Sequence, residues 1–87
     1  MNYDNMNFEA RIYEKTIYGS GLKPIPYIQL QEKVWNSNLG DYEDGFVILK
    51  FMDLNSLKKF KNKNNIKIYK FEQIIQNFKE KLKKLVK

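Results

Sequence analysis

The sequence contains neither cysteine nor histidine, and it has a single arginine and a single alanine. These absences exclude disulfides, thiolate chemistry, zinc sites built from Cys and His, and histidine acid–base catalysis. At 87 residues the chain is too short for two independent hydrophobic cores, so we expect one domain over residues 1–87. Its 43% hydrophobic content is that of a folded chain rather than of a disordered tail.

Membrane and export signals are also missing. No run approaches the roughly 18 consecutive apolar residues that a membrane span needs. Residues 1–8 are polar and lack the charged and then apolar order of a signal peptide. We therefore expect an intracellular, cytoplasmic protein with no membrane partner.

The short motifs do not match patterns of catalytic or cofactor sites. A phosphate loop has the pattern G-x-x-x-x-G-K-[ST], in which lysine follows the second glycine. In Gly19-Ser20-Gly21 the second glycine is followed by Leu22, so we expect a connecting turn there. The acids at 41, 43 and 44 lack the ligand order of a calcium loop, so we expect a solvated acidic turn over residues 41–45. Without histidine, the serines have no ordinary general base. The sequence thus predicts a non-enzymatic protein with no metal and no cofactor.

The N-terminal half predicts one strand and one ambiguous segment. Phe8, Ala10 and Ile12 alternate with polar or aromatic neighbours, which predicts a strand over residues 8–18. Residues 27–35 fit a strand, in which Glu32 falls among apolar side chains, or a helix with one apolar arc. We favour the helix, because Gly40 would suit its C-terminal cap.

The C-terminal half gives clearer signals. Residues 46–52 are apolar on both alternations, which predicts a central strand covered on both faces. Asp53 stands where the N-cap of a short helix over 54–61 belongs. Residues 66–69 predict a further strand, which could pair in parallel with the strand at 46–52 as a βαβ unit. A final amphipathic helix is predicted by apolar residues at helical spacing, namely Phe71, Ile74, Ile75, Phe78, Leu82, Leu85 and Val86.

Together these segments predict an α+β domain of three or four strands and two or three helices, with the C-terminal amphipathic helix packed on the sheet. In so small a domain we expect most aromatic side chains in the core. Of Tyr27, Trp35, Tyr42 and Tyr69, we expect at most two to be exposed as stacking or interface anchors.

Charge is distributed unevenly along the chain. The net charge of +6 divides into −3 for residues 1–53 and +9 for residues 54–87. Of the 16 cations, 15 are lysine, which with ten asparagines and nine isoleucines is typical of an A/T-rich genome. Lysine attracts phosphates diffusely, whereas base-specific readout favours arginine. Two explanations stay open: the basic residues form a functional surface, or they reflect codon bias.

The functional hypothesis rests on this lysine cluster. We expect a small non-enzymatic binding protein, an accessory or inhibitor of phage-like type, that acts on a nucleic-acid-processing protein complex through one basic face. The expected partner is an acidic protein surface or a nucleoprotein complex. The alternative is direct, sequence-independent binding of DNA or RNA. A homodimer through exposed apolar surface is a third possibility. The candidate binding residues are Lys58, Lys59, Lys61, Lys63, Lys67, Tyr69, Lys70, Lys79 and Lys83.

Overall fold

The computed structural model describes residues 2–16 and 24–85. In chain order the elements are β1 (Asn7–Thr16), β2 (Pro24–Asn36), β3 (Asp41–Phe51), α1 (Leu54–Lys63), β4 (Lys67–Tyr69) and α2 (Phe71–Leu85). The α+β prediction is confirmed for this part of the chain, which forms four strands and two helices, with the C-terminal helix packed on the sheet. The turn predicted at Gly19–Gly21 lies outside the described residues.

The four strands form one mixed sheet in the order β3-β2-β1-β4. β1 pairs antiparallel with β2 and β2 antiparallel with β3, whereas β4 pairs in parallel with β1. The predicted parallel pairing of β3 with β4 is therefore wrong. These strands run in the same direction, but they form opposite edges of the sheet, and β1 and β2 lie between them. The α1 connection consequently spans the width of the sheet.

The N-terminal segment explains why β4 joins β1. The backbone N–H of Lys67 donates to the carbonyl of Met6 at 3.0 Å, and Asn5 N–H donates to the carbonyl of Asn65 at 2.7 Å. The Asp4 carboxylate accepts from the backbone N–H of Asn65 at 2.9 Å. These long-range bonds hold the start of β4 beside the start of β1, which sequence periodicity does not encode.

β2 is a strand, so the helix favoured for residues 27–35 is wrong. It pairs with β1 from Pro24 to Lys33, and Ile28 and Leu30 are fully buried. The burial of alternate residues matches one covered sheet face. The apolar residues of this segment fit one side of a helix and also the alternation of a strand. The hydrogen bonds with β1 are what make the segment a strand.

β3 also differs from its prediction. It begins at Asp41, not at residue 46, so residues 41–45 belong to a strand and the acidic turn is wrong. The turn lies at residues 37–40, where the N–H of Gly40 donates to the Asn36 carbonyl at 2.9 Å and Gly40 has φ of +64°. β3 is an edge strand covered on one face only, because Val47, Leu49 and Phe51 pack against the core while the alternate side chains are exposed.

Both helices lie on the same face of the sheet and build the core there. Phe8, Leu57 and Phe78, from β1, α1 and α2, are among the largest fully buried side chains. The predicted N-cap is confirmed, since the Asp53 carboxylate accepts from the Ser56 N–H at 2.8 Å. The hydrogen bonds from Ser56 hold the pKa of Asp53 below its ordinary value.

Candidate binding surface on the open face of the sheet

The sheet face opposite the helices is not covered by any other described element. Strand residues alternate between the two faces, and the registers place the side chains that share the uncovered face side by side. We call this surface the open face. Its members are Asn7, Glu9, Arg11, Tyr13 and Lys15 of β1, Ile25, Tyr27, Gln29, Gln31, Lys33 and Trp35 of β2, Tyr42, Asp44, Phe46, Ile48 and Lys50 of β3, and Lys67 and Tyr69 of β4.

Aromatic side chains flank a polar centre on the open face. At one end, the rings of Tyr13 and Tyr27 stack with centroids 5.8 Å apart. At the other end, the rings of Trp35 and Tyr42 meet edge to face at 5.2 Å. Tyr69 lies on the β4 edge and is 64% exposed.

The prediction that at most two of the four chosen aromatics are exposed is therefore wrong, since Trp35, Tyr42 and Tyr69 all are. The reason is architectural. Two helices cover only one side of a four-stranded sheet, so every second strand residue lacks a covering layer.

The charges of the open face are mostly positive, with five cations against two acids. Arg11 is paired with Glu9 at 2.6 Å, and Lys33 is paired with Asp44. Hydrogen bonding to these carboxylates raises the pKa of Arg11 and of Lys33 above their ordinary values. Both cations stay charged at neutral pH, so the open face keeps a surplus of three positive charges.

An irregularity in β3 determines how its side chains are presented. The pairing with β2 shifts between Gln31 and Lys33, where β3 has two more residues than β2. The Gln31 amide donates to the Gly45 carbonyl at 3.0 Å, and the Val47 N–H donates to the Glu32 carboxylate at 3.2 Å. Because the excess is two residues, the alternation stays in phase across this bulge.

Phe46 lies within the bulge, between the paired residues Asp44 and Ile48. This side chain is fully exposed, and Ile48, the next residue on the same face, is half exposed. An exposed phenylalanine on an edge strand is uncommon because its burial would be favourable by about 1.5–3 kcal/mol. Large exposed apolar groups of this kind mark interaction surfaces.

A concavity of about 540 Å³ lies at the end of the sheet where β1, β3 and β4 begin, and all four strands contribute to its lining. Its wall includes the rings of Tyr42 and Tyr69 and the side chains of Lys33 and Lys67. Two aromatic rings and two cations thus border one depression, together with the acids Glu9 and Asp41, which are also part of its lining.

The residues chosen from the sequence are divided between two sides of the molecule. Lys67 and Tyr69 belong to the open face. In the helices, which lie on the other side, the chosen lysines are Lys58, Lys59, Lys61 and Lys63 in α1 and Lys79 and Lys83 in α2. Six of the nine candidates therefore lie in the helices and two lie on the opposite side of the sheet, because β4 joins the sheet between the two helices.

Two chosen lysines contact aromatic rings. Lys61 is half-buried, and its Nζ lies 5.1 Å from the centroid of the Phe71 ring, which links α1 to the start of α2. Lys70 follows β4 with φ of +55°, and its Nζ lies 5.3 Å from the Tyr69 ring. Cation–π contacts of this kind are structural as well as recognition devices.

Sequence reasoning missed Tyr13, Phe46 and Ile48 and the cations Arg11 and Lys33. The exposure of Tyr13 could have been predicted, because Tyr13 lies on the same side of β1 as the charged residues Arg11 and Lys15. Phe46 and Ile48 were hidden because the double apolar alternation of β3 is also that of a fully buried strand. The missing information was the position of β3 at the edge.

The described residues contain no cluster of His, Cys, Asp or Glu that could hold a metal ion. None of the helices formed by residues 54–63 and 71–85 is long and apolar enough to cross a membrane. The chain matches no protein-family model, and searches of curated proteins and of solved structures found no match either. The surface chemistry of the open face is therefore the main guide to function.

Proposed function

We propose that this chain is a small non-enzymatic binding protein that docks through its open face on an acidic surface of a protein partner. The observation that carries this proposal is the combination of exposed aromatic rings and surplus cations on one uncovered sheet face. Trp, Tyr and Arg are the residue types that dominate binding energy in interfaces. Positive charge around them accelerates encounter with an acidic partner and excludes basic ones.

The role within a cell belongs to the same proposal. A phage-like accessory protein or inhibitor that acts on a nucleic-acid-processing complex agrees with the small size and the lysine-rich composition. The concavity bordered by Lys33 and Lys67 would then accept carboxylates, while Tyr42 and Tyr69 would pack against apolar groups beside them.

A second candidate is direct binding of single-stranded DNA or RNA to the same face. The stacked Tyr13–Tyr27 pair favours it, with the Nζ of Lys50 lying 5.8 Å from the Tyr27 ring centroid. Bases stack on aromatic side chains without sequence preference, and nearby lysines neutralise the backbone. The lysines of the helices would then form a separate, weaker attraction for phosphates.

A matched pair of charge reversals tests which side of the molecule binds. Lys15→Glu/Lys67→Glu changes the open face at two lysines outside the ion pairs described above, and Lys59→Glu/Lys79→Glu makes the same charge change on the helices. Each double variant and the wild type are used for affinity capture from the native host, with and without nuclease. The proposal expects a nuclease-resistant protein that the open-face variant loses and the helix variant retains. If only the helix variant loses it, the binding surface is the helical side and the proposal is wrong.

Trp35 provides an independent readout for the nucleic-acid candidate. It is the sole tryptophan and lies on the open face, so stacked bases should quench its fluorescence. Titration with random single-stranded DNA and RNA at low salt should then give a binding constant whose logarithm falls by about 0.7 per log unit of salt for each phosphate neutralised. Unchanged fluorescence, together with no retention in a gel shift, would exclude this candidate.

A further inference from the structure

The outer edge of β3 is not paired with another strand in the described part of the chain. β3 is 11 residues long and exposes Phe46 and Ile48. Natural sheets normally shorten or cover such an edge, because its free N–H and C=O groups are a template for another strand. The β3 edge therefore offers free backbone hydrogen-bonding groups and exposed apolar side chains to another strand.

The backbone of the bulge shows which groups are free. The Val47 N–H and the Gly45 carbonyl are bonded to β2 side chains, so they are directed inward. Adjacent residues of a strand direct their backbone groups to opposite sides. The N–H and C=O groups of Phe46 and Ile48 are therefore directed to the free edge.

We propose that this edge pairs with the same edge of a second copy of the chain, antiparallel and with the twofold axis at Val47. In that register Phe46 lies opposite Ile48 of the second copy, and Ile48 lies opposite its Phe46. Residues 46 and 48 both have outward backbone groups, so they form the hydrogen-bonded pairs of an antiparallel ladder. Aromatic and β-branched residues are a favourable cross-strand pair.

The charges along β3 favour pairing with a second copy of the same strand. The first half of β3 carries Asp41, Glu43 and Asp44, and the second half carries Lys50. Antiparallel pairing about Val47 places Asp44 of each copy opposite Lys50 of the other, on the open face. A parallel arrangement would place like charges opposite each other, which is unfavourable. The strand is thus complementary to itself in one orientation only.

The dimer would join two sheets of four strands into one continuous sheet, and two open faces into one surface. The interface is isologous, as in most homodimers, so it closes and does not form fibres. This inference does not rest on the proposed function, because it is argued from the β3 edge alone and its test measures self-association of the purified chain.

Sedimentation equilibrium tests the dimer over concentrations from about 5 µM to about 1 mM, the range expected for a weak complex. The wild type should approach twice the mass of the chain. Asp44→Lys and Lys50→Asp should each raise the dissociation constant about tenfold, because two attractive pairs become two repulsive ones. A wild type that stays monomeric throughout this range overturns the proposal.

An equimolar mixture of the Asp44→Lys and Lys50→Asp variants tests the proposed register directly. Asp44→Lys carries lysine at both positions and Lys50→Asp carries aspartate at both, so only the mixed pair has opposite charges in register. An equimolar mixture should therefore dimerise as tightly as the wild type. Glu43→Lys is the matched control, since it makes the same charge change on the other face of β3 and should leave the dissociation constant within about threefold.

Asp44 also pairs with Lys33, so Asp44→Lys could weaken the fold. Ile48→Lys avoids that pair and places an unmatched charge opposite Phe46 of the second copy. It should abolish dimerisation while the far-UV circular dichroism stays that of the wild type. Self-association that survives in Ile48→Lys, or a mixture that does not dimerise, contradicts the register.

Discussion

Replacement of Gly45 by alanine should destabilise the protein through contact with Glu32. A methyl group at Gly45 would lie 2.6 Å from the carboxyl carbon of Glu32 and 2.9 Å from its Cγ. Neither distance is compatible with van der Waals contact, so the Glu32 side chain must turn away. It would then lose the 3.2 Å hydrogen bond that it accepts from the Val47 N–H.

The magnitude follows from this one bond. A hydrogen bond to a charged group contributes about 1.5–3 kcal/mol when well formed. The bond is long and Glu32 is only half-buried, so we expect Gly45→Ala to lower the free energy of unfolding by about 1–2 kcal/mol. Glu32→Ala removes the same bond and opens the space. In that background, Gly45→Ala should be neutral or stabilise by up to about 1 kcal/mol, because alanine restricts the unfolded chain.

Urea unfolding of the four proteins, followed by far-UV circular dichroism, measures the coupling between the two positions. Contacting residues typically show coupling energies of about 0.5–3 kcal/mol, and we expect about 1–3 here. Gly40→Ala is the control. No heavy atom lies within 4 Å of a Cβ at Gly40, so its cost comes from the positive φ alone and should be the same with and without Glu32→Ala. Additive effects of Gly45→Ala and Glu32→Ala, within about 0.5 kcal/mol, would refute the reasoning.

Three further predictions concern the core, the N-cap and the open face. Phe78→Ala should cost about 3–5 kcal/mol because the ring is fully buried, whereas Leu82→Ala, 38% exposed on the same helix, should cost less than about 2 kcal/mol in the same urea assay. Equal costs would contradict the placement of α2. Asp53→Ala should lower stability at neutral pH. Since the folded-state pKa of Asp53 is lowered, the difference from wild type should shrink as pH falls below about 4, its unfolded pKa. A pH-independent difference would show that the carboxylate charge does not contribute. Trp35 is 56% exposed, so acrylamide should quench it in the folded protein with at least about half the efficiency seen in the urea-unfolded protein, and strong protection would contradict its exposure.

Local signals in the sequence were sufficient for the elements whose pattern has one interpretation. The stripe of α2 predicted the helix that the structure contains, although the side chains of Leu85 and Val86 lie outside the described set. Asp53 identified the start of α1, because a carboxylate that accepts from the N–H three residues later is a local arrangement. The alternation of Phe8, Ala10 and Ile12 predicted β1 for the same reason, since the residues that decide it are neighbours.

Patterns with two interpretations depended on partners distant in the chain. Residues 27–35 could form a helix or a strand, and only the ladder with β1 makes them a strand. The double apolar alternation of residues 46–51 did not reveal that one face stays uncovered. That depends on where the helices pack. For the same reason, the basic residues could be identified from the sequence, but their distribution between the two sides of the sheet could not.

The sequence alone determined the class of the protein: one basic α+β domain with an amphipathic C-terminal helix and no cysteine or histidine chemistry. These properties follow from composition and from contacts between near neighbours. Only the tertiary structure decided the strand order, the edge position of β3 and the open face. Strand pairing joins residues far apart in the chain, and its hydrogen bonds are made by backbone groups common to almost every residue, so side-chain patterns specify it only weakly.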